Sequence, residues 1–174
     1  MAWRRTDRPL LSGHMARGSR GIDGHPSDMD GLDSGSSRRI LLAIDQTSAS
    51  REASSEAIKR AKEDGSELIV MSVVEPRNLH LPGGRPRRVD QERERLTAGA
   101  QSIVQRARAV GVRSTFLIWE GEPADAILEA ATSEGATIII LGSRPRTNLR
   151  RFILGSVSSE VARRAPCDVV VVPG

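Results

Sequence analysis

A chain of 174 residues with 38% hydrophobic content can fill one substantial core, and two full-sized domains would be crowded. Its formal charge of +4, from 26 basic and 22 acidic residues, fits a phosphate-bearing ligand as well as nucleic acid, but two Phe, two Trp and no Tyr exclude an aromatic ladder for stacking bases. One cysteine excludes an intramolecular disulfide framework, no Cys and His ligand spacing exists, and no apolar stretch reaches the roughly 18 residues of a membrane span.

Residues 1–37 are rich in Gly, Ser, Asp, Arg and Pro, with isolated apolar residues, and read as a disordered N-terminal extension unable to offset its ordering entropy. Met15 and Met29 within it are alternative starts of the biological chain, and no apolar h-region makes it a secretory signal. Order is expected from Arg38, so the domain is 38–174. Arg39 to Ile44 is a continuous apolar run, short enough for a buried strand, and it ends at Asp45. Ala53, Ala57 and Ala61, with Ile58, mark one face of a first helix that Gly65 stops. Glu67 to Val74 is the second strand, and strand, helix, strand in this order argues for parallel pairing through a right-handed crossover.

The Pro, Gly and Arg-rich stretch after Glu75, through Arg88, favours a surface loop. Leu96, Ala100, Ile103, Ala107 and Val110 then recur at helical spacing within a helix over Val89 to Val110. Gly111 ends it, and Val112 to Trp119 forms the third strand. Pro123 fits the first position of the next helix and Asp125 its first turn, with Ile127, Leu128 and Ala131 on the buried face. Thr137 to Leu141 is the fourth strand, Val157 to Arg164 a short helix and Cys167 to Val172 the fifth strand. Continuous apolar strands alternating with one-striped helices predict an α/β fold with an open parallel sheet.

In such sheets ligands sit beyond the carboxyl ends of strands where the strand order reverses. Asp45, Val74, Glu120 and Gly142 all fall at predicted carboxyl ends. The segment from Gly142 to Ser156 carries Arg144, Arg146, Arg150 and Arg151 and no acid, and ends at Gly155-Ser156 just before a helix. That is the layout of an anion site, with unpaired helix-start N–H groups beside a hydroxyl. Ser156 also reads as an ordinary N-cap, Gly142 as a sharp strand exit, Asp45 as an acceptor for the first helix, and Trp119 as a lid over the sheet edge. Cys167 reads as a buried structural thiol.

Ile40-Leu-Leu-Ala-Ile-Asp45, Gly121-Glu-Pro123, the Gly142 to Ser156 segment and Ala165-Pro-Cys-Asp-Val-Val-Val-Val172 together resemble the universal stress protein family. The resemblance spans roughly Arg38 to Gly174. It implies a Rossmann-like sheet of five parallel strands in the order 3-2-1-4-5 and a homodimer through the last strand; a reducing cytoplasm is the setting that the single cysteine suits. It also implies ATP, accompanied by Mg2+, as the ligand of one branch of the family. The nucleotide motif of that branch is Gly, two residues, Gly, nine residues, then Gly and Ser or Thr. Gly142, Gly155 and Ser156 match it, with the nine residues Arg146 to Leu154 intact between. On the same resemblance Asp45 lies near the adenosine end, Val73 supplies a backbone contact to adenine, and Ala43 and Val157 complete the binding set; Arg144, the arginine closest to Gly142, reads as a fork-shaped donor to phosphate.

The middle glycine is Pro145, which has no N–H and holds φ near −65°. Removing a charge-assisted hydrogen bond to phosphate at that position costs about 1.5 to 3 kcal/mol, or tenfold or more in affinity. Pro145 is therefore the main argument for the alternative, a dimeric interaction protein of the same fold that binds no nucleotide. Nucleic acid and membrane are disfavoured as partners. No Gly-Lys-Ser or Gly-Lys-Thr occurs, and no acid is convincingly posed for catalysis, so any ATP hydrolysis is expected to be weak.

Overall fold

The computed structural model describes residues 38–45, 47–75, 87–143 and 155–174. The readings placed on residues 1–37, on the loop before Arg87 and on Arg144, Pro145, Arg146, Arg150 and Arg151 lie outside the described residues. The strands are β1 (Arg39–Ala43), β2 (Glu67–Val74), β3 (Ser114–Glu120), β4 (Ile138–Ser143) and β5 (Asp168–Pro173). The helices are α1 (Ser48–Asp64), α2 (Arg87–Ala109), α3 (Pro123–Glu134) and α4 (Ser156–Arg164).

All strand pairs are parallel, in the order β3-β2-β1-β4-β5, as expected for a doubly covered sheet. The reason is visible in β1, where consecutive residues face opposite cores. Leu41 and Ala43 join Ile69, Met71, Ile139 and Leu141 beneath α3 and α4. Ile40, Leu42 and Ile44 join Leu68, Val70 and Ile140 beneath α1 and α2. With both faces buried, a strand must be apolar at every position rather than at alternate ones.

Small residues set the spacing of the helices. Ala53, Ala57 and Ala61 are fully buried along α1, whose end is closed by Gly65 at φ 65°. Gly135 ends α3 in the same left-handed conformation, at φ 63°. Along α2 the buried stripe is Leu96, Ala100, Val104 and Ala107. Ile103 is half-buried, and Val110, expected on that stripe, is 42% exposed because the helix stops at Ala109 and the chain turns through Gly111. Helix α2 also begins two residues earlier than expected, at Arg87.

Candidate functional site

The strands do not end level at their carboxyl edge. Strand β1 stops at Ala43, which lies opposite Met71 on one side and Leu141 on the other. β2 continues to Val74 beside Glu120, and β4 continues to Ser143 beside Pro173. Between β2 and β4 this leaves a notch about 10 Å across, two strand spacings, and about 3 to 7 Å deep above Ile44. The notch stands where the strand order reverses, with β2 leading away on one side and β4 on the other.

Ala43 and Ile44 form its floor. The Ile44 N–H donates to the Met71 carbonyl at 2.9 Å, and the Ser72 hydroxyl donates to the Ile44 carbonyl at 3.3 Å. On the outer side of β2 the Val74 carbonyl accepts from the Gly121 N–H at 3.0 Å. Because successive residues of a strand direct their peptide groups to alternate neighbours, Val73 faces the β1 side, like Met71 two residues earlier. There β1 has already ended.

Asp45 leaves the floor as an exposed carboxylate at the approach to α1. Its Oδ1 accepts from the Thr47 N–H at 3.1 Å, the Thr47 hydroxyl at 2.6 Å and the Ser50 hydroxyl at 2.6 Å. The Ser50 hydroxyl also accepts from the Asp45 N–H at 3.0 Å. This is an Asx turn fastened to the first turn of α1, so the role of helix-start acceptor is filled. Asp45→Ala is expected to cost about 1 to 2 kcal/mol and lower the melting temperature by about 3 to 6 °C. Asp45→Asn keeps the Oδ1 acceptor and should melt within about 2 °C of the wild type; thermal denaturation followed by circular dichroism checks both.

Gly142 lies inside β4, paired with Val172, and is not the turn at a strand exit. A Cβ built on it would lie 2.6 Å from the backbone carbon and oxygen of Ala49 and 2.8 Å from the Ala49 side chain. Gly174, whose N–H donates to the Ser143 carbonyl at 3.1 Å, meets the same alanine, a Cβ built on it running into the Ala49 Cα. The first turn of α1 thus backs the notch on one face, admitted by glycines on the strand side. Sequence reading finds Gly142 but not Ala49, because the contact joins two backbones far apart in the chain.

Helix α4 returns antiparallel to the strands, so its first turn lies at the carboxyl edge. Its N-cap is Gly155, with Ser156 as the first helical residue, one position earlier than expected. Glycine has no side chain to cap the opening N–H groups. Ser156 is exposed, and Val157 is partly buried against the α3 and α4 core. Ala43, Asp45, Val73 and Gly142 therefore share one edge, with Gly155, Ser156 and Val157 at the helix that starts there. Glu120, at the carboxyl end of β3, is engaged by Arg93 of α2.

Among the described residues no group of three or more His, Cys, Asp or Glu is arranged to hold a metal ion. Cys167 is partly buried against the α4 layer rather than fully enclosed. Burial first, and the Asp168 charge second, push its thiol above the ordinary range. Above the unfolded thiol pKa the folded chain holds the proton more tightly, so this contribution to stability falls as pH rises. At pH 8 iodoacetamide should alkylate Cys167 more slowly in the native protein than in urea, read by mass spectrometry.

The profile of the Universal stress protein family matches residues 36–173. The chain belongs to the universal stress protein family. A universal stress protein of Thermus aquaticus is 33% identical over 136 residues, covering 78% of this chain and 98% of that protein. The solved universal stress protein UspA from Lactobacillus plantarum superposes with a TM-score of 0.67 at 26% identity, covering 78% of this chain and 97% of that one. A universal stress protein from Archaeoglobus fulgidus, solved in complex with dAMP, shares the fold with a TM-score of 0.58 at 22% identity, covering 78% and 97% respectively.

Proposed function

We propose that this universal stress protein is an adenine-nucleotide-binding regulatory protein, with ATP and its accompanying Mg2+ held over the notch beyond β1. The observation that carries this reading is the early end of β1 between two longer neighbours, which leaves the Val73 peptide group facing the gap. In this reading Val73 meets the base, Ala43 the floor beneath it, and Asp45 the ribose hydroxyls. Gly142, Arg144, Gly155, Ser156 and Val157 hold the phosphates, using the glycine-capped start of α4 as an anion site. The dAMP complex of the Archaeoglobus fulgidus relative supports an adenine nucleotide as the ligand class. Asp45 would do two jobs with one carboxylate, ordering α1 and accepting from the sugar.

Domain 38–174 would carry this activity in the cytoplasm, with residues 1–37 as an extension. A homodimer through β5 is consistent with its place at the sheet edge, where Val169 to Val172 are only partly buried. Hydrolysis would be slow at most, since the chain holds no Gly-Lys-Ser or Gly-Lys-Thr. Pro145 favours the second reading, an interaction protein of the same fold without a nucleotide. Calorimetric titration with ATP and magnesium discriminates the two. Saturable heat below about 1 mM, a binding free energy stronger than about −4 kcal/mol, supports the nucleotide reading, and none at that ligand concentration rejects it.

A further inference from the structure

Strand β3 is one edge of the sheet, and among the described residues no strand pairs with its outer rim. The Leu68 N–H donates to the Arg113 carbonyl at 2.9 Å, and the Gly121 N–H donates to the Val74 carbonyl at 3.0 Å. Odd-numbered residues of β3 therefore direct their peptide groups to β2, while Ser114, Phe116, Ile118 and Glu120 direct theirs outward. Edges of this kind are ordinarily blunted by charge, proline or a bulge. The run Ser-Thr-Phe-Leu-Ile-Trp-Glu has no proline and no charge before its last residue, and its register on β2 is unbroken. Its apolar residues are thinly covered as well. Phe116 and Ile118 on the α2 side, and Leu117 and Trp119 on the α3 side, are all only partly buried.

We propose that the β3 rim is a self-association surface, where a second copy of this chain pairs antiparallel about a two-fold axis through Leu117. Full overlap of the seven residues sets that centre. It places outward-facing residues opposite outward-facing ones, Ser114 against Glu120 and Phe116 against Ile118, as an antiparallel ladder needs. Thr115 meets Trp119, and Leu117 meets itself, in the non-hydrogen-bonded positions where side chains approach most closely. Charge agrees with the same register. The Arg108 guanidinium donates to the Ser114 carbonyl at 2.7 and 3.2 Å, so it stands at the start of the rim. That carbonyl keeps a second lone pair for the ladder. Glu120, on the same α2 side, stands at the end of the rim beside Arg93. A two-fold axis normal to the sheet keeps both α2 helices on one side and brings Arg108 of each copy to Glu120 of the other. An unrelated extended peptide would satisfy the peptide groups alone, whereas a second copy satisfies the charges too.

Disulfide trapping reads the register. In a Cys167→Ser background, which removes the single native cysteine, Leu117→Cys puts two thiols at the axis. Non-hydrogen-bonded partners have Cα atoms about 4.5 Å apart, within disulfide reach. Mild oxidation at micromolar protein should give a covalent dimer on a non-reducing gel. Thr115→Cys should not, because its two copies would lie about 13 Å apart, four strand residues. Thr115 is the more exposed of the two, so random collision would favour it instead. Arg108→Glu in the Leu117→Cys chain should slow trapping about fivefold, and adding Glu120→Arg should recover it. Equal trapping at both positions, none in a folded Leu117→Cys chain, or no recovery in the charge-exchanged chain would overturn the proposal. Should Leu117→Cys fail to fold, sedimentation equilibrium of the wild type, Arg108→Glu and the charge-exchanged double variant decides. Association lost in the single variant and regained in the double supports the β3 pair, and any other pattern rejects it. Trapping at β3 is blind to pairing through β5 and to nucleotide binding.

Discussion

Gly142→Ala is expected to lower the free energy of unfolding by about 3 kcal/mol and the melting temperature by roughly 10 °C, the upper end of what overpacking costs. The methyl group would arrive 2.6 Å from the backbone carbon and oxygen of Ala49, atoms that no rotamer change can move aside. Either β4 or the first turn of α1 must shift. The shift would also drag on Asp45, which is fastened to Ser50 in that turn. Rescue by Ala49→Gly should fail, because it removes the side-chain atom at 2.8 Å and leaves both backbone atoms in place. It also adds the roughly 1 kcal/mol cost of glycine in a helix. Chemical denaturation of the single and double variants checks this. A Gly142→Ala protein as stable as the wild type would show that the helix and strand are not in contact there.

Leu41→Ala and Leu42→Ala should each cost about 3 kcal/mol, although the two residues are adjacent in sequence. Both side chains are fully buried, Leu41 among the residues beneath α3 and α4 and Leu42 among those beneath α1 and α2. Each truncation opens a cavity in a different layer. The double variant should therefore lose close to the sum, about 6 kcal/mol, a large part of the 5 to 15 kcal/mol that ordinarily holds a domain together. Urea midpoints of the three variants test this, with the slopes unchanged. A sheet covered on one face only would give one costly substitution and one nearly neutral one.

The fold was legible in the sequence because burial on both faces leaves its mark locally. Runs such as Ile40 to Ile44 and Leu68 to Val74 are apolar at nearly every position, and the alternation with Ala-striped helices needs no distant information. Gly65 and Pro123 punctuated the chain where conformational preference alone is decisive. What stayed hidden depended on contacts across the chain. Val104 takes a core place and Val110 does not, since the exit of α2 is set by the turn through Gly111 rather than by the helical stripe. Gly142 looked like a strand exit, but it is a paired residue kept small by a helix that follows β1.

The candidate site was legible as a set of residues at carboxyl ends, and less so as a shape. Asp45, Val74 and Gly142 could be placed along one edge from strand ends alone, while Val73 came from the family resemblance. The notch itself comes from the comparative length of β1, β2 and β4, which depends on register and cannot be read one strand at a time. The hydroxyls of Thr47 and Ser50 on Asp45 were likewise missed, because a Ser and Thr-rich helix start offers several equivalent caps.

The most direct measurement is an amide chemical-shift map of the nitrogen-15-labelled protein titrated with ATP and magnesium. Saturable shifts are expected at Ile44, Val73, Gly142 and the Gly155 to Val157 turn, with Gly111 to Ser114 at the opposite edge of the sheet unmoved. Shifts centred on that opposite edge, or a spectrum unchanged at millimolar ATP, would contradict a nucleotide seated beyond the end of β1.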